Sequence, residues 1–366
     1  MSDHIQNSKQ HIIDNCIACG TCAKICPSIE VAQMGHVKPK VIQEHLLEFI
    51  KAPQADDIVS QRIDSCLECF KCVDVCPKDL NPLAFIGLAK FVAFQNQYEP
   101  YASAKPADYR AHYQSLNSDL DERQRSAVTK ITVPTTSRNV FFPGCNVYKD
   151  SQRLLRIREI LNRIDPDIAF LPGLEFCCGD TYIFEGRLDL GEDQNSALHK
   201  EIERINPEQV ILWCPTCLAH IKTRGNTSVR WVSFFQFCLE NMDKLDFVAT
   251  EKKKIVTLHE PCKTAYTGLD QSHRDVIGAM PDIELREMPS GIGCCGSGGI
   301  SYYKDNTINM ISAKRLREAA ETQADMLVTV CHYCQEVFDD INSYESLQIV
   351  NLADLMVQKL EDHGKI

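Results

Sequence analysis

Cysteines at 145, 177, 178, 214 and 217 are followed by cysteines at 262, 294, 295, 331 and 334, and each of the second set stands 117 residues after its counterpart. Five fixed offsets without an insertion mark an internal duplication. The chain must therefore build the same thiol-bearing unit twice. Each copy carries an adjacent pair followed by glycine, in "EFCCGD" around Cys177 and Cys178 and in "GIGCCGSGG" around Cys294 and Cys295. Neighbouring side chains seldom point the same way, and a disulfide between them is strained.

The surroundings place these thiols. "NVFF" precedes Cys145, "IAFL" precedes the first CCG loop and "QVILW" precedes "CPTC". "KIVTL", "IELREM" and "MLVTV" hold the same positions before Cys262, the second CCG loop and "CHYC". These short apolar, β-branched runs read as strands. Helix-like segments separate them, among them "SQRLLRIREILNRI", "DQNSALHKEIERI" and "DNTINMISAKRLREAA". Alternating strands and helices predict two α/β domains with parallel sheets. Every repeat cysteine then leaves the C-terminal end of a strand, and in a parallel sheet those ends share one ligand-binding edge.

Gly179 and Gly296 follow the pairs at equivalent positions. A residue without Cβ permits left-handed turns and close backbone approach to an inorganic core, so adjacent thiols can diverge towards two irons. Five thiolates are one more than a cubane takes. Either one cysteine of each set is spare or the cluster is not a simple cubane. A four-cysteine zinc site with a bystander competes, more strongly at the first copy. Cys238, in "FFQFCLE", has no counterpart in the second copy and reads as a core thiol.

A second constellation precedes the repeat. "CIACGTCAKICP" and "CLECFKCVDVCP" both read C-x2-C-x2-C-x3-C-P. In this ferredoxin run three cysteines wrap one [4Fe–4S] cubane and the fourth ligates the other cluster. One cubane is therefore assigned to Cys16, Cys19, Cys22 and Cys76, the other to Cys66, Cys69, Cys72 and Cys26. Zinc knuckles need neither the third step nor the trailing Cys-Pro. Val41, Ile42, Leu46, Phe49 and Ile50 predict a helix ended by Pro53, a second covers Ala55 to Asp64, and "NPLAFIGLAKFVAFQNQ" gives a third. The predicted fold is an α-helical two-cluster ferredoxin domain over 1–98, a connector over 99–138 with some helix around 107–129, and CCG domains over 139–250 and 251–366.

The two constellations and Cys238 account for all 19 cysteines. With a polar N-terminus and no apolar h-region, this density points to metal in a reducing cytoplasm rather than to secreted disulfides. No apolar run is long enough to span a membrane, so membrane association would come only through a partner. The net charge of −11 argues against nucleic acid. "GSGG" at 296–299 lacks the last glycine of a dinucleotide fingerprint, since Ser301 stands there. No flavin is expected on this chain, and a flavoprotein or other redox subunit must supply or receive electrons.

Two ferredoxin runs followed by two C-x31-CCG-x34-C-x2-C motifs resemble the fused iron–sulfur subunit of heterodisulfide reductase over nearly the whole chain. The iron–sulfur subunits of glycolate oxidase and anaerobic glycerol-3-phosphate dehydrogenase share the plan. The resemblance implies an oxidoreductase subunit of anaerobic metabolism whose cubanes pass electrons to non-cubane [4Fe–4S] clusters, with a small-molecule disulfide reduced between them. It implies five ligands in each of the sets Cys145, Cys177, Cys178, Cys214, Cys217 and Cys262, Cys294, Cys295, Cys331, Cys334. The alternative is an electron relay for a flavin-dependent 2-hydroxyacid (glycolate or lactate) or glycerol-3-phosphate dehydrogenase. A zinc-stapled interaction module is the reading without redox chemistry. Disulfide cleavage needs a proton donor, for which His259, His332 and Lys263 are candidates.

Overall fold

A computed structural model describes residues 3–102, 120–134, 137–224, 229–250, 252–268, 270–298 and 305–360. These form two compact units. Part of the predicted connector, 103–119, lies outside the described residues.

The first unit takes the described residues of Met1–Ala107, Gly179–Asn195 and Cys294–Ser312. Its N-terminal elements are helices: α1 (Asp3–Asn15), α2 (Thr21–Lys24), α3 (Ser28–Val31), α4 (Pro39–Lys51), α5 (Asp57–Asp64) and α6 (Pro82–Gln95). Pro39 opens α4 with its φ already helical, and Ile42, Leu46, Leu47, Phe49 and Ile50 bury its inner face. The helix stops before Pro53, whose ring disfavours helical backbone at the preceding residue. The Asp56 carboxylate caps α5 by accepting from the Val59 N–H. Asn81 caps α6, which is buried continuously from Phe85 to Ala93, as befits a central helix. The segment after the first CCG loop joins this unit through Ile183 and Leu188, which enter the core around Phe85, Ile86 and Phe91.

The second unit holds α7 (Glu122–Thr129) and both sheets. In the first sheet, β1 (Asn139–Phe142), β2 (Ala169–Phe170), β3 (Gln209–Leu212) and β4 (Arg230–Ser233) lie in the order β2-β1-β3-β4. All pairs are parallel, with Val140 opposite Ala169 and Val210, and Val210 opposite Trp231. In the second, β5 (Lys254–His259), β6 (Ile283–Leu285), β7 (Met326–Thr329) and β8 (Gln348–Asn351) repeat the order β6-β5-β7-β8. The duplication reaches past the cysteines: β7 starts and ends 117 residues after β3. Each sheet has a fourth strand, β4 or β8, beyond the three that the cysteine-linked runs predict.

Helix α8 (Ser151–Ile164) belongs to this unit, while α9 (Asp180–Phe184) and the start of α10 (Leu188–Ile205) belong to the first. From Ser196 on, α10 lies in this unit, as do α11 (Pro215–Arg224) and α12 (Phe234–Glu240). With the second sheet go α13 (Cys262–Thr267), α14 (Asp270–Ala279), α15 (Asp305–Glu321) from Ala313 on, α16 (His332–Ile341) and α17 (Leu352–Lys359); the first residues of α15 belong to the first unit. Their packing is reciprocal. Helix α11 of the first repeat packs on α13 of the second, and α16 of the second packs on the 3-10 turn Asn146–Asp150 of the first. Likewise α12 packs on α14, and α17 on α8. One continuous core results, running from Phe141, Ile157 and Phe235 to Val256, Val276 and Met356.

Candidate iron–sulfur centres

The ferredoxin segment contains two cavities. One is lined by Cys16, Cys19, Cys22 and Cys76. The other is lined by Cys26, Cys66, Cys69 and Cys72. Each cavity thus gathers three successive cysteines of one run and the last cysteine of the other. The backbone shows why the spacing works. Ala18 and Gly20 in the first run, and Glu68 and Phe70 in the second, have positive φ. These are the second and fourth residues after Cys16 and Cys66. Left-handed residues alternating with right-handed ones turn successive N–H groups inward, a concavity suited to an anionic centre. Alanine, glutamate and phenylalanine are strained there, which is typical of backbone held for function.

The donors are all thiols, the ligand class of iron–sulfur clusters. Burial pushes the Cys22 thiol up to about 11 and raises Cys72 further. Positive metal charge is what would hold them as thiolates. Cys19 differs. It is exposed, next to the exposed Ile17, and a hydrogen bond with Thr21 lowers its pKa. The first cavity therefore has a solvent-facing rim, while three cysteines of the second are buried.

The strand order of each sheet reverses between β1 and β3, and between β5 and β7. Such switch points open a crevice at the C-terminal strand ends. Cys145 leaves β1 and Cys214 and Cys217 follow β3. Cys145 is hydrogen-bonded to Cys177, while Cys217 is hydrogen-bonded to both Cys178 and Cys214. All five predicted ligands of the first repeat therefore converge. Gly144 gives them room: its φ is +76°, and a Cβ there would stand 3.0 Å from Cys217 Sγ. Gly173 lets the adjoining loop close, since its Cβ would fall 1.9 Å from the Gly144 carbonyl oxygen.

In the second repeat Cys262, Cys331 and Cys334 belong to the second compact unit, and Cys294 and Cys295 to the first. The Cys294 Sγ accepts from the Gly296 N–H at 3.3 Å, and the Ser312 hydroxyl donates to the Cys295 carbonyl. Cys331 stands at the N-cap of α16. A hydrogen bond from Cys334, joined by the backbone N–H groups of Cys334 and Tyr333, lowers its pKa to about 7. Cys214, before α11, is lowered in the same way, first by Cys217. A Cys-x-x-Cys at a helix N-terminus is built to hold a thiolate. The buried Lys263 favours the thiolate at both Cys214 and Cys331. The two Cys-x-x-Cys turns thus share one cation.

The histidines do not share the solvent access of an acid. Both are buried, and burial followed by nearby cations pushes their pKa well below the usual range, through Arg315 at His259 and through Arg153 and Lys149 at His332. The Trp213 Nε1–H donates to His332 Nε2 at 2.8 Å, and the Arg153 guanidinium faces Nδ1 at 2.8 Å. Arg315 Nε donates to His259 Nδ1 at 3.2 Å. Burial and the adjoining cations favour the neutral form of both rings, and Trp213, Arg153 and Arg315 fix their orientation beside the thiol-bearing turns. Cys238 lies in the core at 0% exposure, where burial raises its pKa. Sequence reasoning missed Arg62 and Gln43, which line the cavities, and Trp213 and Arg153, which grip His332. No spacing pattern marks them.

Two stretches, 139–222 and 256–339, match the cysteine-rich CCG domain, and residues 12–80 match the 4Fe-4S dicluster domain. The chain is 24% identical to a subunit of the CoM/CoB fumarate reductase of Methanothermobacter marburgensis, over 95% of this chain and 72% of that protein. It is 24% identical to a subunit of the dihydromethanophenazine:CoB–CoM heterodisulfide reductase of Methanosarcina acetivorans, over 66% of this chain and 64% of that one. "Lactate utilization protein A 1" of Bacillus cereus is 24% identical over 46% of this chain and 76% of its own length. The chain thus spans just under two thirds of the heterodisulfide reductase polypeptide that it resembles. Among the described residues, no helix is long and apolar enough to cross a membrane.

Proposed function

We propose that this chain, which belongs to the iron–sulfur proteins that join a 4Fe-4S dicluster domain to two CCG cysteine-rich domains, relays electrons to a disulfide-reducing centre between its two repeats. The observation that carries this reading is the convergence of Cys214, Cys331 and Lys263, one Cys-x-x-Cys turn from each repeat around one buried cation. When bound, the clusters supply single electrons. Cys16, Cys19, Cys22 and Cys76 hold one cubane, and Cys26, Cys66, Cys69 and Cys72 the other. The two five-cysteine sets hold non-cubane clusters.

The cleavage breaks one S–S bond, takes up two electrons and two protons, and releases two thiols. Lys263 is the group placed to meet the anionic sulfur that leaves. Trp213 and Arg153 keep His332, the residue after Cys331, in a fixed orientation. A route towards the second repeat is supported by Gly298: a Cβ there would lie 2.2 Å from the carbonyl oxygen of Leu67, which lines the cavity of Cys66. A redox partner delivers the electrons at the exposed Cys19 rim.

Anaerobic purification tests this. The reading expects more than about eight iron atoms per chain, the load of two cubanes, and an EPR signal that changes when a disulfide is added. About four zinc atoms and no visible absorbance defeat it. Iron-loaded protein whose reduced clusters ignore every disulfide, but are reduced by a 2-hydroxyacid dehydrogenase flavoprotein, supports the relay reading that the likeness to lactate utilization protein A favours.

A further inference from the structure

Arg62 lies in the last turn of α5 at only 2% exposure, yet its Nε and Nη1 have no hydrogen-bond partner among the described residues. It lines the cavity of Cys26, Cys66, Cys69 and Cys72. A guanidinium stays charged and offers a rigid fork of donors. Donors buried unpaired are costly, so an acceptor in this cavity is required. The sulfurs of a bound cluster are such acceptors.

The electrostatic balance differs between the cavities. Lys90, fully buried, pairs with Glu68 at 3.9 Å and acts on Cys66 together with Arg62, so two buried cations face one carboxylate at the second cavity. The first cavity is lined by a neutral amide, and Arg62 acts on its Cys22 more weakly than on Cys26, Cys66 and Cys72. Gln43, 3% exposed, accepts from the Cys22 thiol at 3.1 Å and turns its Nε2 towards Cys16 Sγ at 3.8 Å. Lys71 and Lys78, one on each cavity, are exposed and screened.

We propose that Arg62 is a positioning residue of the electron relay: it donates to the cluster held by Cys26, Cys66, Cys69 and Cys72 and sets its reduction potential above that of the neighbouring cubane. This rests on the reading that both cavities hold cubanes. Reduction adds a negative charge, which a buried cation stabilises far more than a neutral amide does. Solvent exposure at the Cys19 rim favours the first cubane, and Arg62 reverses that order. One electron leaves the first cubane, oxidising it by one, and reduces the second by one. No proton moves, because the guanidinium stays charged.

The test is an EPR-monitored redox titration of the full chain, loaded anaerobically, with iron counted first. Wild type should show two cubane midpoints. Arg62→Gln should lower the upper one and shift electron sharing between the cubanes at least about tenfold, 59 mV for one electron. Arg62→Lys, which keeps the charge, should restore most of it. Gln43→Leu should move the lower midpoint and so identify the first cubane. Unchanged midpoints in fully loaded Arg62→Gln overturn the proposal, and so does Arg62→Lys falling as far as Arg62→Gln. If Arg62→Gln fails to load, Arg62→Lys decides: the wild-type order supports the proposal and a reversed order at full iron overturns it. Wild-type protein without two cubane signals defeats the underlying reading instead.

Discussion

Replacing Gly144 with alanine separates two reasons for a glycine beside the first CCG site. The first is backbone conformation. At φ +76° a residue with Cβ loses about 1–2 kcal/mol, whether or not metal is bound. The second is space. The new Cβ would stand 3.0 Å from Cys217 Sγ and 3.1 Å from Cys214 Cβ, so those residues must give by a few tenths of an ångström. Free thiols can shift, but cysteines fixed on a cluster cannot without strain, and overpacking of this kind costs about 1–3 kcal/mol. At 1.4 kcal/mol per tenfold that is about 5- to 150-fold in cluster retention. Denaturant unfolding of metal-free protein measures the first loss. The rate of iron release to a chelator measures the second, with the ferredoxin cubanes as internal control. Equal losses in metal-free and loaded protein, with unchanged iron release, would refute the argument that Gly144 makes room for ligands.

Asp354 holds Arg153 at 2.9 Å and Arg156 at 2.7 Å, tying the second repeat to the first. Asp354→Ala should cost about 1.5–3 kcal/mol in denaturant unfolding, because Arg153 and Arg156 lose a shared carboxylate and keep only Asp150, and Arg153→Met with Asp354→Leu should cost less than the sum of the single changes. Cys238→Ala should leave iron content unchanged and lower stability by about 1 kcal/mol; lost iron would show that this thiol is a ligand. Cys331 gives a pH dependence in metal-free protein. Its pKa falls from 9.0 to about 7 on folding, so its contribution is fully present above pH 9 and is lost as pH falls through about 7. Cys331→Ser should remove that slope, and an unchanged slope assigns it to another group.

The cysteines made most of the fold legible. Their 117-residue register required two equal folding units, and the runs before them were apolar enough to read as strands. The fourth strands were harder to see. "RWVS" and "QIVN" are short, partly polar and carry no cysteine, and they are strands because β3 and β7 each offer an open edge. Helix α5 was visible, but the burial of Arg62 was not, since "DDIVSQRID" reads as a solvated face. Only packing turns that charge inward. His332 shows the same limit. Its place between two cysteines marks it as a candidate acid, but no spacing signals that Trp213, from 119 residues earlier, and Arg153 hold its ring.

The reciprocal packing of the repeats has a consequence for symmetry. An interface in which each half lends the other the same pair of elements is that of a two-fold dimer, where residue i meets j and j meets i. In a true homodimer every residue at the seam occurs twice, so a buried lysine there would come as two, one at each symmetry-related position. Covalent fusion lifts that restriction. The counterpart of Lys263 is Asn146, that of Trp213 is Val330, and that of His332 is Pro215. One cation serves both thiol turns, and the indole–imidazole bond forms on one side only. Tandem duplication thus gives the two Cys-x-x-Cys turns different neighbours, a freedom that two identical chains would not have.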